Sequence, residues 1–394
     1  MKTKQTSLFF GLLISLSFGV SAQTVPTPDH VVILLLENYG YADIIGNTNS
    51  PYINSLVSDP NAALFTQSFA LSHPSQPNYI MFYSGNNQGV TTDNTPTGTP
   101  YTTCNLGANL ISHGKTFTAF SEGLPSVGSL TSTSGSYARK HCPWTNWQGS
   151  GTNQVPTTVS QKFSSFPTST TYSALPQVSF VIPNLDDDMH NPTVFTAPTT
   201  YSVTAITNGD AWVNANLNSY VQWAKTHNSL LILTFDEDDG SAGVGTNQIT
   251  TIFIGQMVQG GSYPEHIDHY SVLRTIEDMY GLTYCGASSS STSITDCWKT
   301  TTGINNTEEQ HNIVISPNPA ENSATISLLN SSKVNASLSV FTISGQAVNV
   351  IQNHIKNNSD ESFVIDIRIL PAGIYYCKVL LADKTITRKL IISK

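Results

Sequence analysis

Three short polar clusters in this chain carry the residue types that hold a cation, and each comes shortly after an apolar run. Glu37-Asn38 follows His30 to Leu36, and Asp236-Glu237-Asp238-Asp239 follows Leu230 to Phe235. The third run, Val178 to Ile182, leads through Pro183-Asn184 into Asp186-Asp187-Asp188-Met189-His190. One acidic cluster after a strand is an ordinary solvated turn or helix cap. Three clusters delivered to one edge repel one another unless a positive charge lies among them. Oxygen donors of this kind suit a hard divalent cation.

A candidate nucleophile stands in Leu71-Ser72-His73-Pro74-Ser75-Gln76-Pro77-Asn78-Tyr79. Pro77 fits the first turn of a helix, which puts Ser75 at or beside the N-cap, with its hydroxyl and the free backbone N–H groups facing one anion. The same pattern also describes a serine that only caps a helix. What would separate the two is activation, and a cation on the serine oxygen would lower its pKa without a histidine base. Among the ten histidines, His30, His113, His227, His266, His311 and His354 have no motif around them, and His73 could face either way. His141 follows Arg139-Lys140, the one adjacent basic pair of an acidic block.

The elements needed to position these groups are legible as periodicity. His30 to Leu36, Thr116 to Phe120, Val178 to Ile182, Leu230 to Phe235 and Thr250 to Ile254 are near-continuous apolar runs, the mark of strands buried on both faces in a parallel sheet. Ala211 to His227 and Tyr270 to Tyr280 have helical spacing between them. The fold class expected is α/β, a doubly wound, mostly parallel sheet whose ligand site lies beyond the carboxyl ends of the strands. Gly123 to Tyr172 fits neither template and reads as an elaborated loop region.

The ends of the chain differ from this block. Residues 1–22 read as a secretory signal peptide, with Lys2 and Lys4 ahead of an apolar stretch and Val20-Ser21-Ala22 as the cleavage site. Residues 23–298 form the α/β block, 299–312 a polar linker, and 313–394 a small β-sandwich of short alternating strands. The net charge of −9 is uneven, since residues 23–307 hold seven Lys/Arg against nineteen Asp/Glu. That excludes a phosphate-backbone binder, which needs clustered cations, so no nucleic-acid partner is expected. No segment approaches the roughly 18 apolar residues of a membrane span. Export makes disulfides plausible, and the expected pairs are Cys104 with Cys142 and Cys285 with Cys297.

Taken in order, Glu37-Asn38, Ser75 to Asn78, Tyr137 to His141, Pro183-Asn184 with Asp188 and His190, Asp236-Glu237 and His269 to Arg274 resemble the phosphoesterase family of acid phosphatases and phospholipases C, within the alkaline phosphatase superfamily. The resemblance covers about residues 28–285 and implies Ser75 as nucleophile. It implies metal ligation by Glu37, Asn38, Ser75, Asp236 and Glu237. His141, His190 and His269 would then bind phosphate or protonate the leaving group, and Asn78, Arg139, Lys140, Asn184 and Asp188 would contact the substrate. Where many relatives have His-Asn-Pro, this chain has His141-Cys142-Pro143. The histidine ligands of two-zinc members are missing. One divalent ion is therefore expected, with Ca²⁺, Mg²⁺ or Mn²⁺ favoured over Zn²⁺. The implied activity is hydrolysis of a phosphate ester, a monoester through a phosphoserine, with a phospholipase C-type diesterase as the alternative and an inactive secreted binding protein as the reading from another class. The tail, through Ser316-Pro317-Asn318-Pro319 and Leu370-Pro371-Ala372-Gly373-Ile374-Tyr375-Tyr376, resembles the sorting domains of type IX secretion cargo. That implies a secretion-machinery partner and a secreted or cell-surface location reached through the periplasm.

Overall fold

The structure, a computed structural model, describes residues 25–190, 202–240, 247–299, 312–329, 336–356, 361–381 and 384–394. The expected signal peptide and all but the two ends of the expected linker lie outside those residues. The chain divides into two compact units, 1–300 and 301–394.

The first unit is built on an eight-stranded sheet. In chain order its strands are β1 (His30–Leu36), β2 (Ala62–Phe69), β3 (Phe117–Ser121), β4 (Ser160–Lys162), β5 (Val178–Ile182), β6 (Ser229–Phe235), β7 (Thr251–Ile254) and β8 (Gly261–Asp268). Their order across the sheet is β8-β2-β7-β6-β1-β5-β3-β4. Only β7 runs against its neighbours, β2 and β6, so the sheet is mostly parallel as the apolar runs require. Strand β1 shows why the fold needs covering on both sides. Val31, Ile33 and Leu35 pack into one buried cluster, and Val32, Leu34 and Leu36 into another. Alternation along a strand sends successive side chains to opposite faces, so helices must lie on each. Helices α1 (Ser75–Ser84) and α2 (His269–Tyr280) contribute to the first cluster, and the long helix Val203–Ala224 to the second. The strands missed by periodicity, β2, β4 and β8, lie at or near the sheet edges. Strand β8 has mostly exposed or half-exposed residues and so no apolar run to betray it.

The expected disulfides are corrected. Cys104 is joined to Cys285, while Cys142, Cys297 and Cys377 are free and buried. Asn109, on the short helix that follows Cys104, donates to the Thr283 carbonyl and brings the two chain segments together. The Cys142 sulfur instead faces the Ser121 hydroxyl at the end of β3, 3.3 Å away.

The second unit is two four-stranded sheets whose inner faces share one apolar core, with Ile326, Phe363 and Ile365 from one and Val340, Cys377 and Val379 from the other. Among the described residues, neighbouring strands within each of these sheets run antiparallel. Among the described residues no helix is long and apolar enough to cross a membrane.

Candidate active site

Strands β1, β5 and β6 end side by side, and the chain leaving each carries the acidic clusters. Backbone bonds fix their relation: Glu37 N–H donates to the Asp188 carbonyl at 2.8 Å, and Asp236 N–H to the Leu36 carbonyl at 3.0 Å. Two turns here hold non-glycine residues in the left-handed region, Asn38 at φ 63° and Met189 at φ 77°. Such conformations cost on the order of 1–3 kcal/mol each and persist only where surrounding structure enforces them. Met189 is enforced partly by the long helix, whose Gly209 leaves the space its side chain fills; a Cβ on Gly209 would stand 2.3 Å from Met189 Cγ.

Ser75 is the first residue of α1, one place further in than an N-cap. Its hydroxyl lies 3.0 Å from Glu37 Oε2 and 3.1 Å from Glu237 Oε1. A hydroxyl has one proton to donate, so two carboxylates compete for it. The helix-end cradle is partly filled by the protein itself, because Gln76 N–H donates to Asp93 Oδ1 at 3.0 Å. Asn78 turns inward, accepting from Leu71 N–H and Ser72 N–H and donating to Glu237 Oε2 at 3.3 Å, so it steadies the Ser75 turn and a carboxylate together.

Four carboxylates meet here, Glu37, Asp188, Asp236 and Glu237, none more than 2% exposed. Burial and the charge on Glu37 drive Asp236 well above the carboxylate range, and the same two causes bring Glu237 up to about 8. Asp188 is also raised, chiefly by burial. Glu37 behaves oppositely: burial would raise it, but the charge and hydrogen bonding of His141, His190 and Lys140 hold it well below its ordinary value. His141 Nε2 stands 2.9 Å from Glu37 Oε1 and Nδ1 3.2 Å from Asp188 Oδ2, ion-pair distances without hydrogen-bond alignment. Against the cost of burial, those two carboxylates raise His141 to about 9. Tyr79 stacks on its ring, centroids 4.9 Å apart.

The arrangement fits a bound cation. Glu37 Oε1, Asp188 Oδ2, Asp236 Oδ2, His141 Nε2 and His190 Nε2 are all buried without a hydrogen-bond partner, which is costly unless something absent from the chain engages them. Glu37, His141 and His190 each offer an atom within 4.8 Å of the others. His190 Nδ1 lies 3.1 Å from Glu37 Oε2 and 2.8 Å from Asn38 Nδ2. Nδ1 thus stands between a donor, the Asn38 amide N–H, and an acceptor, Glu37 Oε2. Glu37 in turn stands between two groups, the Ser75 hydroxyl with its Glu237 partner on one side and the nitrogens of His141 and His190 on the other.

The remaining expected site residues divide between the centre and its surroundings. His269 is buried on the Phe235 carbonyl, Nε2 to O 2.9 Å, and against Phe82, outside the carboxylate group. Asn184 builds the turn before Asp188, its side chain accepting from Asp186 N–H and its carbonyl from Asp187 and Asp188 N–H. Asp188 Oδ1 accepts from His190 N–H at 2.7 Å and orients the histidines more than it faces outward. Lys140 is paired with Asp93 and its charge acts on Glu37, while Arg139 bonds Thr145 Oγ1 and Asn146 Oδ1. Asp93 and Tyr79 were not foreseen. Nothing in the polar run Thr91 to Thr95 marks Asp93, and Tyr79 was legible only as the i+4 neighbour of Ser75 on a helix. A cavity of about 200 Å³ beside the centre is lined by Gln76, Asp93, Ser132, Arg139, Lys140 and His190 among others.

A mostly parallel sheet with a buried serine and acids gathered beyond its strand ends is the architecture of an α/β enzyme. Comparison gives the family. Residues 48–283 match the model of the phosphoesterase family, and 314–393 that of the secretion system C-terminal sorting domain. A phosphatidylinositol-3-phosphatase of Mycobacterium tuberculosis is 47% identical over 280 residues, 71% of this chain and 86% of that protein. An acid phosphatase of Aspergillus fumigatus is 26% identical over 64% of this chain, which spans about half of that protein (54%). Among solved structures, an alkaline phosphatase superfamily protein from Vibrio parahaemolyticus aligns at 12% identity and TM-score 0.47 over 70% of this chain and 75% of its own. The chain belongs to the phosphoesterase family and is a phosphoric ester hydrolase with a sorting domain for secretion or surface export.

Proposed function

We propose that this protein is an exported, metal-dependent phosphomonoesterase working through a phosphoserine at Ser75. The observation that carries the reading is the Ser75 hydroxyl, buried and within 3.1 Å of both Glu37 and Glu237. Either carboxylate can take the proton as Oγ attacks phosphorus. A divalent cation held by Glu37, Asp236 and Glu237, with Asn38 and Ser75, would supply charge neutralisation for the transferring phosphoryl group and lower the hydroxyl pKa. His141 and Lys140 place positive charge against Glu37 and towards the anion. His190, the site histidine that lines the cavity, is the candidate proton donor to the leaving oxygen. Water then attacks the phosphoserine, releasing phosphate and restoring Ser75. The phosphatase names of the relatives support the monoester over a phospholipase C-type diester, and the Mycobacterium relative extends the candidates to phosphoinositide monoesters. The intact donor set speaks against an inactive binding protein.

The test is hydrolysis of p-nitrophenyl phosphate and of its phosphocholine diester by the purified chain, before and after chelation. Monoester preference and loss of activity with EDTA are expected. Diester preference would overturn the substrate class, and full activity after exhaustive chelation would overturn metal dependence.

A further inference from the structure

Arg139 and Lys140 are neighbours in sequence, line the same cavity, and differ in whether an acid answers them. Lys140 Nζ is paired with Asp93 Oδ2 at 2.7 Å. Asp93 is itself fixed, since its other oxygen accepts from Gln76 N–H, and the Gln76 side chain donates to the Thr92 and Asn94 carbonyls at 2.8 and 2.7 Å. That lysine is therefore answered by an acid of the protein, and its charge also acts on Glu37 and Asp236 at the centre.

Arg139 is 8% exposed, and among the described residues no carboxylate lies within ion-pair distance of it. Its Nε and Nη2 donate to neutral oxygens, Thr145 Oγ1 at 3.1 Å and Asn146 Oδ1 at 2.9 Å, and Nη1 has no bonded partner among the described residues. Its charge acts on Tyr101, Tyr137 and Cys142, not on the carboxylates around Ser75. A guanidinium taken out of water without an acid is costly, and the partner its planar fork suits is a carboxylate or phosphate oxygen pair. Thr95, Ser132 and Thr133 add hydroxyl donors to the same wall.

We propose that the cavity is a subsite for a second anionic group on the leaving portion of the substrate, with Arg139 as its specificity-determining cation. The preferred substrates are thus phosphate monoesters whose alcohol carries a carboxylate or phosphodiester. This rests on the phosphatase reading above.

The test compares 4-carboxyphenyl phosphate with its neutral isostere 4-carbamoylphenyl phosphate, using the full chain with divalent metal supplied. The wild type favours the carboxylate in kcat/KM by about 10- to 100-fold, mainly through KM, as expected for one charge-assisted bonded pair. Arg139→Gln brings that ratio to about one, and Arg139→Lys keeps part of it. Equal use of both esters by the wild type, or an unchanged ratio in Arg139→Gln, overturns the subsite. Should that variant fail to fold, product inhibition of the wild type decides: 4-hydroxybenzoate must inhibit more strongly than 4-hydroxybenzamide, and equal inhibition overturns the proposal. Hydrolysis of neither ester overturns the phosphatase reading and the subsite with it.

Discussion

The two units of this chain bury very different things. The α/β unit closes four carboxylates, two histidines and a serine into one place, several with orphaned polar atoms, and holds two residues there in left-handed turns. The C-terminal sandwich buries aliphatic and aromatic side chains, and among the described residues Glu361, paired with His354, is its one buried charged group. A sandwich built for delivery can follow the rule that apolar surface goes inside. A reaction centre departs from it, and the stability it gives up must be recovered by packing and crosslinks elsewhere.

That contrast is sharpened most by Ser75→Ala. Hydrolysis of p-nitrophenyl phosphate should fall by about 10⁴-fold or more, as for other covalent nucleophiles, with no loss of melting temperature, because the hydroxyl is contested and not structural. Breaking the Cys104–Cys285 link comes next. It spans 181 residues, so Cys285→Ala should lower urea-unfolding stability of the first unit by about 5 kcal/mol at most in the chain-entropy model, leaving the sandwich transition where it was.

A smaller effect tests the electrostatic cost directly. In chelator, the folded chain keeps a proton on Glu237 between about pH 4.5 and 8 that the unfolded chain releases, so stability falls as pH rises through that window. His141, raised to about 9, acts in the same direction from pH 6.5 upward. Glu37, held low, contributes fully throughout the range and adds no slope there. The melting temperature of the metal-free protein should therefore be higher at pH 5.5 than at 8.5. Glu237→Gln should flatten the trend and stabilise the metal-free form at pH 8 by about 1–2 kcal/mol while abolishing turnover. A melting temperature that climbs with pH would break the account. The smallest change is Gly209→Ala, which crowds Met189 and shifts the turn bearing Asp188 and His190. Activity should drop about tenfold for a stability loss of about 1–2 kcal/mol, and a silent substitution would mean the turn is held from elsewhere.

Much of this was legible because burial writes itself into composition. Strands β1, β5 and β6 are covered on both faces, so their apolar runs stand out, and the acids that end them mark the edge where a ligand belongs. Ser75 was legible through the proline-flanked helix start. Long-range pairings were not legible, even where one partner was: Asp93 meets Lys140 across 47 positions, His141 meets Glu37 across more than a hundred, and no local pattern encodes either. The Phe235 carbonyl that receives His269 was illegible for the same reason, since a motif names a type of residue but not its partner across the fold. The cysteine pairing failed because neighbours in sequence were preferred to neighbours in space.

The left-handed turn at Asn38 has a consequence for descent. Position 38 is held by two independent requirements, a backbone that β-branched and bulky residues resist and an amide beside Glu37 and His190. Glycine meets the first alone; aspartate tolerates the backbone but adds a fifth acid to four already crowded. Asparagine is left with almost no single-step substitute, so drift toward another ion or ester has to pass through other positions of the centre and leave this one standing.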